Sequence, residues 1–289
     1  MKPAPFDYVA PTTIDEACAA LADAGGGATV LAGGQTLLPL LNLRMSQPFI
    51  LVDINNIADL QGIAHAGGGT RVGAMTRQCE AIASETLART LPVLVQATSH
   101  VGHHQTRNRG TVGGSIALGE PAAELPATAV ALGATIEARS TRGTRHIPAG
   151  EFYLGPYMTA LEADELVTVI NFPDWPKGHI TLFREVAQRP GDFALVGMVG
   201  ALSVEGGRIA RAGLAWFGMG PTPIRAKAAE QMLLGQSLEQ INPQAIAERA
   251  VADTAPFDDQ HASAEYRRTV ATRIFARTLR EALKIGEAA

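Results

Sequence analysis

Cysteine is nearly absent from this chain of 289 residues, which has only Cys18 and Cys79. Neither has a cysteine or histidine at zinc-ligand spacing, and two thiolates cannot hold an iron–sulfur cluster. A chain this long buries enough apolar surface to need no disulfide. Positive charge is also scarce. Lys and Arg number 24 against 28 Asp and Glu, so the formal net charge is −4 and the basic surplus of a general nucleic-acid binder is missing. No apolar run reaches ~18 residues, the length that reads as a membrane span. The stretch 1–10, with Pro3, Pro5 and Asp7, lacks the positive and apolar segments of a secretion signal, so a cytoplasmic location is expected. No Ser–His–Asp order or nucleophile elbow is visible. Aromatic residues make up 5% while glycines number 30, which directs attention to backbone turns.

No linker, charge block or repeat divides the sequence, so its organisation is read from changes of pattern. Segment 12–23 reads as a helix capped by Thr12 or Thr13, with Asp15 and Glu16 in its first turn. A strand at 28–31, a glycine break, a helix at 37–45 and a strand at 49–53 follow the βαβ grammar of a parallel sheet. In a second section, strands are expected at 71–74, 134–140, 144–148 and 165–172. Helices are expected at 78–88, 92–100 and 122–132. A third section has strands at 180–187, 193–204 and 208–217, with Gly206–Gly207 as a two-residue hairpin turn. Helices at 224–234, 243–253 and 264–285 complete it. Three domains are expected: 1–57, 58–176 and 177–289.

Two glycine turns stand out. The first is Ala32-Gly33-Gly34-Gln35-Thr36-Leu37, where a strand turns into a helix. Such a turn exposes backbone N–H groups that attract phosphate, and glycine lets a ligand approach the chain closely. The second is Arg107-Asn108-Arg109-Gly110-Thr111-Val112-Gly113-Gly114-Ser115, again a glycine pair flanked by hydroxyl residues. Together the two turns could wall one diphosphate. Neither is the G-x-G-x-x-G of a Rossmann unit, and Gly218-Met219-Gly220 runs into Pro221 and Pro223, which cannot open a helix in the required way.

The segments AGGQTLLP (32–39), RNRGTVGGSIA (107–117), EPAAELPA (120–127), RPGDFALV (189–196) and SAEYRR (263–268) carry a family resemblance over essentially the whole chain. The chain resembles the FAD-binding medium subunits of molybdenum hydroxylases of the carbon monoxide dehydrogenase and xanthine dehydrogenase type. The resemblance implies an α+β chain. It has a two-part FAD-binding fold of the PCMH type, with a small parallel α/β subdomain and a larger α+β one. A C-terminal three-stranded antiparallel sheet with a helix bundle follows. It also implies that the turns at Ala32, Gly33, Gly34, Gln35, Thr36 and Leu37, and at Gly110, Thr111, Gly113, Gly114 and Ser115, contact the FAD diphosphate. Glu120 or Glu124 would reach the nucleotide, Leu166 or Val167 would lie against the ligand, and Arg184 and Phe193 would stand near the flavin ring. Ser115 occupies a position where the family commonly has Asn.

The function so implied is electron transfer: FAD in this chain, molybdopterin and [2Fe-2S] clusters in a large and a small partner subunit, and an external acceptor. A dimer of heterotrimers is the implied assembly. Replacing Gly33 and Gly113 with valine is expected to remove FAD and spare the fold. Two other readings remain. A stand-alone flavin oxidase or reductase would need an acid or base near the ring, for which Arg184, Glu185 and Tyr157 are candidates. A non-enzymatic nucleotide-binding module would use the glycine turns alone. His100, His103 and His104 have helical spacing without a supporting carboxylate, and read as a helix end or a lining of the cofactor cleft. Asp53 reads as a cap or turn residue, Cys18 and Cys79 as core, and Arg267 and Arg268 as a partner contact or solvated face.

Overall fold

The structure is a computed structural model describing residues 2–285, so the outermost residues of the first and third expected domains lie outside the described residues. The first section holds β1 (Asp7–Val9), α1 (Ile14–Asp23), β2 (Ala28–Leu31), α2 (Leu37–Asn42) and β3 (Ile50–Asp53). β3 lies between β1 and β2, parallel to both. Thr13 and Glu16 form a reciprocal capping box that starts α1. Ala17, Cys18 and Leu21 bury one face of that helix.

The middle section runs β4 (Ile63–Ala66), β5 (Gly69–Gly73), α3 (Gln78–Ala83), α4 (Glu85–Thr90), α5 (Pro92–His100), α6 (His104–Arg109), α7 (Val112–Leu118) and α8 (Glu124–Leu132). It continues with β6 (Thr135–Ser140), β7 (Gly143–Pro148), α9 (Ala149–Phe152), β8 (Tyr153–Gly155), β9 (Met158–Thr159) and β10 (Leu166–Pro173). Its five-stranded antiparallel sheet has the order β4-β5-β10-β6-β7, and β8 and β9 form a separate hairpin. The expected helix at 78–88 is two helices. Ser84 ends one in extended conformation and caps the next by accepting from the Leu87 N–H.

The last section has β11 (Ile180–Val186), β12 (Val196–Glu205), β13 (Arg208–Phe217), β14 (Ile224–Arg225), α10 (Lys227–Leu233), α11 (Pro243–Ala252) and α12 (Ala264–Leu283). Gly206 and Gly207 both have positive φ, as a tight turn between β12 and β13 requires. The sheet has four strands, not three. Ile224 and Arg225 pair with Trp216 and Ala215 before the helix begins, so the pattern read as helix from 224 starts as a short edge strand.

The core is unevenly shared. One large apolar cluster joins the middle section (Val72, Leu125, Ile170, Phe172) to one face of the last sheet (Phe183, Val199, Ala201, Phe217). α8 is its centre: every residue from Glu124 to Leu132 is buried, which explains a sequence apolar on all sides. The other face of that sheet packs on α10, α11 and α12. The first section contributes only a small cluster around α1 and β3, closed by Leu60, Met75 and Leu166 from the middle section. Arg267, expected at a surface, is buried on α12. It donates to the Leu195 carbonyl and pairs with Asp259 at 2.6 Å, a cross-link between helix, sheet and loop. Arg268 is exposed, Cys18 is buried, and Cys79 is only half-buried.

Candidate functional site

β2 ends at Leu31, and the chain then bends through Ala32, Gly33, Gly34, Gln35 and Thr36 into α2, whose first residue is Leu37. Gly34 has φ +72°, the left-handed region that glycine reaches without strain. Among the described residues, no acceptor is paired with the N–H groups of Gly33, Gly34, Gln35 or Thr36. Four successive backbone donors without a protein partner are of the kind that can bind an anion. α2 spans only six residues, so it contributes no long helix dipole at this bend.

The second bend looks alike in sequence and differs in its bonding. Thr111 caps α7, and its Oγ1 accepts from Gly114 N at 3.0 Å. Val112 N donates to Thr76 O (3.0 Å), Gly113 N to Ala74 O (2.8 Å), Gly110 N to Thr106 O (2.7 Å) and Ser115 N to Thr111 O (3.2 Å). These five donors are therefore committed internally, whereas Thr111 N has no protein acceptor among the described residues. The Ser115 hydroxyl also has no protein partner among the described residues.

The two bends meet. A Cβ on Gly33 would lie 2.4 Å from the Arg109 carbonyl oxygen and 2.8 Å from Gly110 Cα. One on Gly114 would come within 3.7 Å of Ala32 Cβ. One on Gly113 would lie 2.4 Å from Ala74 Cβ and 2.7 Å from Ala74 O, and one on Gly110 2.6 Å from Gln78 Oε1. The expectation that valine at Gly33 and Gly113 spares the fold is thus corrected. Those Cβ positions are filled by backbone, which cannot rotate away. Behind the bends lies a cavity of about 70 Å³, lined by Val30, Ala32, Gly113, Gly114, Leu166 and Val167 among others. Both Leu166 and Val167 are buried in its wall.

The two glutamates of the next segment are distinguishable. Glu120 is committed: its Oε1 accepts from Ala122 N at 3.0 Å and its Oε2 from the Tyr157 hydroxyl. Tyr157 has φ +58° and carries its hydroxyl to that carboxylate, which with burial pushes its pKa up to about 12. Glu124 opens α8, is 94% buried, and makes no side-chain hydrogen bond among the described residues. Burial pushes its carboxyl up to about 8, and the charges of Glu185 and Glu120 add to this. At neutral pH it is mainly the neutral acid, able both to donate and to accept.

A larger cleft of about 560 Å³ opens between the end of α5, α6 and the chain after β11. Its walls include His100, His103, His104, Glu185 and the loop 188–191. The His100 ring leans on Phe183 with centroids 4.6 Å apart, and loop residue Gly191 packs on His103. Glu185 Oε2 has no partner, and burial lifts its carboxyl to about 7. Arg184 alternates to the opposite face of β11, where it pairs with Glu281 and donates to Thr278 Oγ1 (3.4 Å) on α12. The residue of this strand that enters the cleft is Glu185. Phe193 stands in the following loop with its ring 63% exposed.

Sequence reasoning missed Asn55 and Arg77. Asn55 Nδ2 donates to Ala32 O (2.9 Å) and to Asp53 Oδ1 (2.5 Å). Arg77 donates to Asn55 Oδ1 (2.6 Å) and to the Arg109 carbonyl. Asp53 is the turn residue expected, accepting from Asn55 N at 2.9 Å and from Tyr8 OH at 2.5 Å. No motif marks Arg77; only its position beside the second bend in space reveals it.

Comparison with known proteins agrees with this geometry. Residues 4–175 match the family described as the FAD binding domain in molybdopterin dehydrogenase, and residues 181–282 match the CO dehydrogenase flavoprotein C-terminal domain. The chain belongs to the FAD-binding medium subunits of molybdenum hydroxylases, and is a flavoprotein component of an oxidoreductase. It is 39% identical to the 6-hydroxypseudooxynicotine dehydrogenase complex subunit alpha of Paenarthrobacter nicotinovorans, over 98% of this chain and 96% of that protein. It is 35% identical to the carbon monoxide dehydrogenase medium chain of Hydrogenophaga pseudoflava, over 98% of each. A solved structure of carbon monoxide dehydrogenase from that organism superposes with a TM-score of 0.95 at 37% identity, covering 98% of this chain and 99% of that one. Quinoline 2-oxidoreductase from Pseudomonas putida 86 gives 0.92 at 36% identity, with 98% and 99% covered. No helix among the described residues is long and apolar enough to cross a membrane.

Proposed function

We propose that this chain takes electrons from a [2Fe-2S] subunit and passes them through FAD to an external acceptor, within a complex whose large subunit carries molybdopterin. The observation that carries the reading is the row of N–H groups from Gly33 to Thr36, none of which has a protein partner among the described residues, lying against a second bend whose donors, Thr111 N apart, are bonded to protein. A diphosphate matches that row in charge and in number of acceptors. Gly33, Gly34, Gln35 and Thr36 would hold it, with the Ser115 hydroxyl beside them. The neutral Glu124 carboxyl would meet a nucleotide or ribityl hydroxyl, and Leu166 would lie in the apolar wall. Glu185, His100, His103 and Phe193 would border the ring end of the ligand. FAD supplies one- and two-electron transfer, which no side chain provides. The protein's own part is to bind, orient and insulate, so it needs no acid or base of its own. The three domains proposed are 1–57, 58–176 and 177–289, and a dimer of heterotrimers is the proposed assembly in the cytoplasm. Native purification from the source tests this. The expected result is a yellow chain with one FAD, co-purifying with a molybdenum subunit and an iron–sulfur subunit. A colourless chain that binds ADP but not FAD would overturn the cofactor assignment. A flavin-loaded chain running alone, with its own substrate turnover, would favour a stand-alone oxidase or reductase.

A further inference from the structure

A continuous hydrogen-bonded strut joins the two bends, and no substrate or cofactor is needed to form it. It starts at the Ala32 carbonyl, which accepts from Asn55 Nδ2 at 2.9 Å. The same Asn55 side chain accepts from Arg77 Nη2 at 2.6 Å, and Arg77 Nη1 donates to the Arg109 carbonyl. That oxygen is also the atom closest to the missing Cβ of Gly33. The strut therefore ends on the two residues where the bends touch.

Two physical consequences follow. A carbonyl oxygen beside a row of anion-binding donors would repel an anion. Donation from a guanidinium neutralises it and fixes its direction. The strut also sets the spacing. Arg77 is anchored by an isolated bridge between its backbone and Thr111, and Asn55 by Asp53 at the end of β3. Each half of the fold thus supplies one rigid end.

We propose that Arg77 and Asn55 are positioning residues that hold the first bend's donors in register with the second bend, and so set affinity for the diphosphate of FAD. This rests on the functional reading above and goes beyond it, since neither residue need touch the cofactor. Each residue holds one carbonyl and the two share one bond, so cutting the strut at either residue breaks the same link between the bends. Arg77 acts through its two-pronged geometry and not through charge alone, so lysine does not replace it.

The test is FAD titration of the full chain, stripped of flavin, followed by flavin fluorescence, with urea unfolding of each variant in parallel. R77Q, R77K and N55A are each expected to weaken binding about tenfold, with the R77Q/N55A double variant no weaker than the weaker single. Losses that multiply in the double variant, wild-type affinity in R77K, or unchanged affinity in N55A would each overturn the strut. A wild-type chain that does not bind FAD would overturn the functional reading itself, before any variant is measured.

Discussion

The bend at Gly33–Gly34 and the bend at Gly113–Gly114 are near-twins as strings of letters and opposites as structures. Each places two glycines and a hydroxyl residue at the start of a short helix. In the first, four N–H groups have no protein partner among the described residues. In the second, the N–H groups of Val112, Gly113, Gly114 and Ser115 are all taken by the protein. Their glycines differ as well. Gly34 is required for its φ of +72°, whereas Gly113 is required because Ala74 occupies the space a side chain would need. A glycine pair marks a close approach, but the approaching body can be a ligand or the protein itself. On the function proposed above, the first bend would be the binding element and the second the abutment behind it.

Substitutions can break or sharpen that contrast. The largest effect is expected for G113V in the abutment. Its Cβ would fall 2.4 Å from Ala74 Cβ and against its backbone, so the loss of stability should exceed about 3 kcal/mol and FAD should disappear with the fold. Urea unfolding of the apo chain reads this. E124Q comes next, with opposite sign. The folded chain holds a proton on Glu124 up to about pH 8, whereas the unfolded chain releases it near the usual glutamate value of 4.5. Wild-type stability should therefore fall as pH rises between those values, and E124Q should remove that fall. Its gain should be greatest near pH 8 and nil at pH 4, measured on flavin-free protein.

The next pair compares the bends directly. G34A should cost about 1 kcal/mol of stability through its positive φ, and yet weaken FAD binding more than tenfold, because the donors are re-aimed. T111A, which loses the cap on α7, should cost a similar ~1 kcal/mol but change FAD affinity less than threefold. Equal binding losses in both would erase the division of roles. The smallest effect belongs to R184Q. The ion pair with Glu281 is partly exposed, so at most about 1 kcal/mol of stability should go, with the flavin spectrum unchanged. A shifted spectrum would place Arg184 near the ring.

The legible parts of this molecule are those governed by local rules. The Thr13 capping box, the Gly206–Gly207 hairpin and the βαβ order of the first section follow from spacing alone. The same is true of the two bends as places where something comes close. What each bend holds was not legible, because it depends on which carbonyls lie opposite, and Thr76 and Ala74 are more than thirty residues away in the chain. Arg184 and Glu185 show the same limit. Alternation along β11 puts them on opposite faces, but only the packing of α12 says which face is the cleft. The difference between Glu120 and Glu124 rests in part on a distant hydroxyl, that of Tyr157, which the sequence does not place beside Glu120. Ile224 and Arg225 were lost to helix because two residues are too few to show a period.

The lopsided sharing of the core bears on how the cofactor enters. Residues 7–53 keep their own small apolar cluster and lean on the rest of the chain through a few side chains, while everything after them is fused around α8. Under gentle denaturant the early sheet should let go first, in a separate transition that rises in urea concentration as FAD is added. Nascent protein would then be loaded by clamping: the larger body finishes first, and the small sheet closes onto the dinucleotide last.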